Sequence, residues 1–154
     1  MKLLYDASAL LNTIRLHGRD AYELLKSHLV LSLTKYEIGN ALWREVSLLK
    51  RINAEEALEV IALIDDVLKV MGVVDPLDSA LVFKLACKLQ ITYYEASYVT
   101  ASIENDAKLI TDDAKLMRKM QDGMETSTKI LGKKPNVLSC AEVRRIPCEG
   151  SSHL

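Results

Sequence analysis

The chain has 154 residues, of which 49% are hydrophobic and 27% charged, a balance typical of one globular domain and not of a disordered chain. Its formal net charge of −1 excludes a strongly basic nucleic-acid binder. No apolar run approaches the length of about 20 residues that spans a membrane. Asp6 interrupts the apolar N-terminal segment, which predicts a cytoplasmic protein without a secretory leader. The three cysteines lack CxxC spacing and predict free thiols, not a disulfide framework or a zinc site.

Short apolar runs alternate with longer amphipathic segments along the chain. The apolar runs have the length of buried strands. They lie at residues 2–5, 28–33, 70–74, 108–111 and, less distinctly, 136–139. Between them, apolar residues recur at helical spacing. These helical stripes cover residues 38–49, 57–68, 81–89 and 96–103.

Strands that alternate with helices predict a parallel sheet with helices on both faces. We therefore expect an α/β fold: a three-layer α/β/α sandwich around a mostly parallel sheet of four to five strands. Residues 1–145 are expected to form a single domain, and residues 146–154 a flexible C-terminal tail. The polar segment 121–136 gives the weakest indication of regular structure.

Four acidic residues lie near predicted helix starts: Asp6, Glu37, Glu95 and Asp113. Taken singly, each is explained by helix capping, because an acid at a helix start accepts backbone hydrogen bonds and interacts favourably with the helix dipole. The Thr-x-x-Glu spacing at 34–37 and at 92–95 matches the capping box, in which the Glu side chain accepts from the N-cap amide. Capping is therefore one interpretation of each acid.

Taken together, the four acids predict a metal site. Asp6 and Asp113 follow strands, and the carboxyl ends of parallel strands meet at one edge of the sheet, where ligands bind. Four converging carboxylates cannot all stay ionised without a cation. Oxygen ligands with no His or Cys nearby favour Mg²⁺ or Mn²⁺ over zinc. Such a cluster is typical of phosphodiester hydrolysis by a metal-activated water.

At these positions the chain resembles the PIN-domain family, most closely its small VapC-like toxin ribonucleases of toxin–antitoxin pairs. The resemblance rests on the segments LLYDASALLN, LTKYEIGNALWRE and TYYEASYVTASIENDAKLITDDAKL. It implies a single PIN-like domain and a Mg²⁺- or Mn²⁺-dependent endoribonuclease that cleaves RNA by metal-activated water attack on a phosphodiester. It also implies a homodimer and a small antitoxin protein as partners.

Carried over onto this sequence, the resemblance implies that the four acids, Asp6, Glu37, Glu95 and Asp113, bind the metal and form the catalytic site. The Thr-x-Asp pattern of the family falls on Thr111 and Asp113, so Asp112 is the intervening residue, and Thr111 and Ser8 would orient the cluster. Glu95 departs from the family, which usually has Asp there, and its extra methylene places the carboxylate about 1.5 Å further out. This departure supports an alternative, a catalytically weak or inactive PIN-like module that acts through protein or RNA binding.

Basic and aromatic residues near the acids are weaker candidates for RNA binding. Between residues 108 and 145 there are nine Lys or Arg and five Asp or Glu, a net charge of +4. Within this segment we single out Lys115, Arg118 and Lys119 as candidate phosphate-binding residues, with solvated helix-face charges as the alternative. The tyrosines Tyr93, Tyr94 and Tyr98 can stack on bases, but packing in a core or an interface is the favoured interpretation.

Overall fold

The computed structural model describes residues 1–145, so the tail predicted at 146–154 lies outside the described residues. The strands are β1 (Leu3–Tyr5), β2 (Leu29–Val30), β3 (Gly72–Val73), β4 (Lys108–Ile110) and β5 (Val137–Leu138). The helices are α1 (Ala7–His17), α2 (Ala21–Leu25), α3 (Thr34–Ser47), α4 (Ala54–Leu68), α5 (Ser79–Leu89), α6 (Tyr93–Glu104), α7 (Ala114–Asp122), α8 (Met124–Leu131) and α9 (Cys140–Val143). A single 3-10 turn, Gly18–Asp20, joins α1 to α2. Within residues 1–145, none of the helices combines the length and the hydrophobicity needed to cross a membrane.

The five strands of the described chain pair in parallel, in the order β3-β2-β1-β4-β5. The sheet therefore confirms the predicted parallel arrangement, with β1 at its centre between β2 and β4. The chain first moves outwards from β1 to β2 and β3, and then returns across β1 to β4 and β5. This reversal makes the carboxyl ends of β1 and β4 the topological switch point, where open parallel sheets bind their ligands.

Alternate residues of the central strands pack into two hydrophobic cores, one on each face of the sheet. Tyr5 and Ile110 belong to the core covered by helices α1 to α4, while Leu4 and Leu109 belong to the core covered by helices α5 to α7. Burial of each large apolar side chain contributes about 1.5–3 kcal/mol. Both cores hold β1 and β4 side by side, in a register that pairs Tyr5 with Ile110. The ends of these two strands are thereby fixed relative to each other.

The strand expected at 28–33 is shorter than the apolar run that predicted it. It ends at Val30, because the chain then turns into α3 and the Leu31 amide donates to the Thr34 hydroxyl at 3.1 Å. Hydrophobic pattern alone does not show this turn, since Leu31 is as deeply buried as the strand residues.

The polar segment 121–136 contains a helix that its composition did not indicate. Helix α8 starts directly after Gly123 and is followed by Gly132, which adopts a left-handed φ of 71°. A Cβ on Gly123 would lie 2.3 Å from Leu89 Cδ2, so glycine allows the junction of α7 and α8 to pack closely on α5. The polar residues of this segment are those of a helix packed on one side only.

Candidate active site

Asp6 lies at the carboxyl end of the central strand and is the fully buried member of the four acids, with 6% of its surface exposed. Its amide donates to the Ile110 carbonyl of β4 at 3.0 Å. Its carboxylate Oδ1 accepts hydrogen bonds from the Ser8 hydroxyl at 2.7 Å and the Ala9 amide at 2.8 Å, and so caps α1. Burial raises the pKa of this carboxyl although these donors oppose the shift, and the charge of Asp113 raises it further.

Asp113 lies three residues beyond β4 and caps α7. Its Oδ1 accepts from the amides of Lys115 at 2.9 Å and Leu116 at 3.0 Å. Thr111 lies between the two strand-end acids, as the family pattern implies. The buried Thr111 hydroxyl accepts a hydrogen bond from the Asp113 amide at 3.1 Å, and the closeness of this hydroxyl to the Asp6 carboxylate lowers the pKa of Asp6. One threonine thus links the two acids.

Glu37 lies in the first turn of α3, where the buried Tyr98 holds it. Its Oε1 accepts from the Tyr98 hydroxyl at 2.6 Å, and Tyr98 in turn hydrogen-bonds to Thr34 Oγ1 at 2.8 Å. Since Tyr98 gives its single hydroxyl proton to the Glu37 carboxylate, Thr34 donates its own proton to the Tyr98 oxygen and accepts from the Leu31 amide. The capping box predicted at 34–37 is therefore wrong, because the Thr34 hydroxyl bonds to Leu31 and Tyr98 and α3 has no side-chain cap.

Glu95 is held by the capping box predicted at 92–95, which the structure confirms. Its Oε2 accepts from the Thr92 amide at 2.7 Å, while its own amide donates to Thr92 Oγ1 at 3.1 Å. The capping box uses Glu or Gln at this position because the side chain must reach back to the N-cap amide. The glutamate that departs from the family pattern therefore has a structural role at the start of α6.

All four acids line one open pocket of about 500 Å³ at the switch point of the sheet. Burial raises the pKa of Glu37, and the nearby charges of Asp6 and Glu95 raise it further. A larger cavity of about 800 Å³ lies beside α4, and none of the four acids lines it. The convergence expected from the sequence is thus present at the predicted edge of the sheet.

Asp112 does not line this pocket and instead connects the loop after β4 to α1 and α9. Its Oδ2 accepts from Asn12 Nδ2 of α1 at 3.0 Å, and its Oδ1 from the Cys140 amide of α9 at 2.9 Å. Its own amide donates to the Ser8 hydroxyl at 3.1 Å. Burial acts against ionisation of Asp112, but the surrounding donors lower its pKa below the ordinary value. Asp112 therefore supports the site through packing and hydrogen bonds.

The donor set of the pocket fits a hard divalent cation in its chemistry. It consists of carboxylates, and the raised pKa values of Asp6 and Glu37 mark charges that a cation would relieve. Within residues 1–145, no three His, Cys, Asp or Glu side chains lie close enough together to hold a metal by themselves. Mg²⁺ usually keeps several waters and takes only one or two carboxylates directly, so the pocket fits a hydrated ion.

Two polar residues of α3, Asn40 and Arg44, also line the pocket. Neither was predicted from the sequence. They lie three and seven residues after Glu37, a helical spacing that places all three on one face and could have identified them. The basic residues chosen for their closeness to Asp113 in sequence do not line the pocket. These are Lys115, Arg118 and Lys119.

Comparison with known proteins shows the family to which this chain belongs. Exonuclease VapC9 from Pyrobaculum aerophilum is 30% identical over 131 residues, which cover 85% of this chain and 95% of VapC9. The chain belongs to the VapC family. Ribonuclease VapC3 from the same organism is 32% identical over 126 residues, covering 77% of this chain and 95% of VapC3. No family model matches the chain.

Solved structures share the fold of this VapC chain. PAE2754 from Pyrobaculum aerophilum superposes with a TM-score of 0.70 at 24% identity, covering 93% of each chain. VapBC2 from Rickettsia felis, bound to a DNA fragment from its promoter, gives a TM-score of 0.57 at 14% identity, covering 90% of this chain and 98% of that one. The PIN-like α/β/α sandwich predicted from the sequence is therefore confirmed.

Proposed function

We propose that this VapC protein is a metal-dependent endoribonuclease and the toxin of a toxin–antitoxin pair. The observation that carries the proposal is the convergence of four carboxylates, from β1, α3, α6 and the end of β4, on one pocket. The relatives support it, since one is named an exonuclease and the other a ribonuclease. The four acids are the proposed catalytic and metal-binding residues.

In this proposal Asp6, Glu37, Glu95 and Asp113 hold Mg²⁺ or Mn²⁺. When bound, such an ion lowers the pKa of water and offsets negative charge that develops on a phosphate. Burial and the charges of Asp6 and Glu95 raise the pKa of Glu37 in the metal-free site, and a bound cation offsets these charges, so that Glu37 is ionised and can hold the ion or orient a water beside it. The hydroxyl of Tyr98 keeps Glu37 oriented, and the bonds from Ser8 and Ala9 do the same for Asp6.

Protein partners of this chain are also part of the proposal. Trp43 and Leu48, at the exposed side of α3 and just beyond it, are 54% and 59% exposed. Large exposed apolar side chains are typical of interaction surfaces. We infer from these side chains that the protein forms a homodimer. We also infer that it is inhibited by a small antitoxin, which the structural similarity to VapBC2 supports. The cytoplasmic location stays a prediction from the sequence.

The second candidate is a catalytically weak or inactive module that acts by binding protein or RNA. Two observations favour it. The capping box occupies one carboxylate oxygen of Glu95, and within residues 1–145 the acids do not close into a direct three-residue metal shell. This candidate predicts no metal-dependent cleavage of RNA by the folded protein.

Incubation of the purified protein with linear and circular RNA, in Mn²⁺ and then in EDTA, separates the two candidates. We expect cleavage that EDTA abolishes, and cleavage of the circle, which has no ends, identifies an endonuclease. Asp6→Asn and Asp113→Asn should remove the activity, while Asp65→Asn, an exposed acid of α4, should keep it. Chelator-insensitive cleavage, or full activity of either site variant, would contradict the proposed site.

A further inference from the structure

Arg44 contributes a positive charge to a pocket whose other charged lining residues are the four acids, and it pairs with none of them. Among residues 1–145, no carboxylate lies within ion-pair distance of its guanidinium. Its sequence neighbour Glu45 is taken by Arg15 of α1, in a bidentate pair at 3.0 and 2.6 Å. The Arg44 side chain is exposed at the pocket and has its donors available for a ligand.

Tyr94 is the exposed aromatic residue of the same pocket. It lies on α6 next to Glu95, and 61% of its surface is accessible. Tyr98, one turn further along α6, also lines the pocket but is buried and donates its hydroxyl to Glu37. Tyr93 is exposed but does not line the pocket. The face of Tyr94 is thus accessible to a ligand in the pocket.

A phosphodiester that enters an acidic pocket is repelled unless cations are present, and an arginine binds a phosphate through two parallel hydrogen bonds. An exposed aromatic ring stacks on a base that is not already stacked within a duplex. We propose that Arg44 and Tyr94 are substrate-binding residues that hold single-stranded RNA in this pocket, through a backbone phosphate and an unstacked base. This inference rests on the proposed ribonuclease function and assigns two residues that hold the substrate.

Fluorescence anisotropy with a short fluorescein-labelled single-stranded RNA tests this inference, with Ca²⁺ in place of Mn²⁺ so that a divalent cation is present, and with the RNA checked on a gel to be uncleaved. Arg44→Ala should weaken binding about five- to tenfold and reduce the slope of log Kd against log salt by about 0.7. Tyr94→Ala should weaken binding by about fivefold or more without changing that slope. Tyr94→Phe keeps the aromatic ring and should bind RNA as tightly as the wild type does. The matched controls Arg118→Ala and Tyr93→Ala should bind within about twofold of wild type.

The cleavage assay in Mn²⁺ supplies the second arm of the test. Both variants should raise KM more than they lower kcat, and a duplex of the same sequence should be insensitive to Tyr94→Ala. Wild-type affinity and KM in both variants, or equal losses in the two controls, would overturn the inference while leaving the nuclease function intact. A wild-type protein that binds RNA through Arg44 and Tyr94 but cleaves none would overturn only the nuclease function, and one that neither binds nor cleaves would overturn both.

Discussion

Replacing Asp6 by Asn should stabilise the folded protein while it removes nuclease activity. Asn keeps the Oδ1 acceptor that receives the Ser8 and Ala9 hydrogen bonds at 2.7 and 2.8 Å, and it is as good an N-cap as Asp. The substitution removes a buried negative charge that lies near Asp113. Removal of an unfavourable buried charge at a functional site typically raises the free energy of unfolding by about 0.5–2 kcal/mol. Each kcal/mol raises the Tm of a chain of this size by about 2–4 °C.

The size of this gain should depend on pH. The folded-state pKa of Asp6 is raised above its ordinary value of 3.8, so the folded protein holds this proton more tightly than the unfolded chain does. The free energy of unfolding of the wild type therefore falls as the pH rises from the unfolded pKa through the raised folded pKa. Asn does not titrate, so its advantage over Asp should be largest near neutral pH and should shrink on acidification.

Urea denaturation followed by circular dichroism, in EDTA at about pH 7 and about pH 5, measures both effects. The control Asp65→Asn alters an exposed acid and should change the free energy of unfolding by less than about 0.5 kcal/mol. A loss of stability in Asp6→Asn at neutral pH, or a gain that is the same at both pH values, would show that the charge of Asp6 does not destabilise the folded protein. So would an equal gain in the control.

Three further substitutions test the hydrogen bonds at the pocket and the packing of α8 on α5. Tyr98→Phe removes the hydroxyl that donates to Glu37 and should lower the free energy of unfolding, measured in urea, by about 1–3 kcal/mol. A variant as stable as the wild type would argue against the hydrogen bonds that join Thr34, Tyr98 and Glu37. Gly123→Ala places a methyl group against Leu89 and should cost about 1–3 kcal/mol, and an unchanged Tm would contradict the close approach. Thr92→Ala removes the capping box of α6 and should lower the free energy of unfolding, measured by a thermal melt, by about 1 kcal/mol. An unaltered melting midpoint would contradict this expectation.

The strands and the acids could be predicted because their signals are local. Each of the five apolar runs contains a strand of the sheet, since residues such as Leu4 and Leu109 are buried whatever their neighbours are. Asp6 and Asp113 follow strands in sequence, and the parallel sheet then brings both to one edge. Asn53 and Asp78 cap α4 and α5, and both belong to the residue types that commonly accept backbone hydrogen bonds at a helix start.

The remaining features depend on contacts between distant parts of the chain. Thr34 is in a capping-box pattern, yet its hydroxyl bonds to Tyr98, a residue 64 positions away whose approach no local pattern shows. Sequence proximity to Asp113 suggested Lys115 as a phosphate ligand, whereas the pocket receives its exposed cation from Arg44, across the site on α3. Which charged side chain meets a pocket is set by helix placement, and this is a property of the tertiary fold.

Binding of a divalent cation by the four acids together can be measured by a Mn²⁺ titration followed by the electron paramagnetic resonance signal of the free ion. We expect saturable Mn²⁺ binding to the wild type that is lost in Asp6→Asn and in Asp113→Asn and kept in Asp65→Asn. A wild-type protein that leaves all Mn²⁺ free in solution, or site variants that bind it as well as the wild type does, would show that the four acids do not bind the cation together.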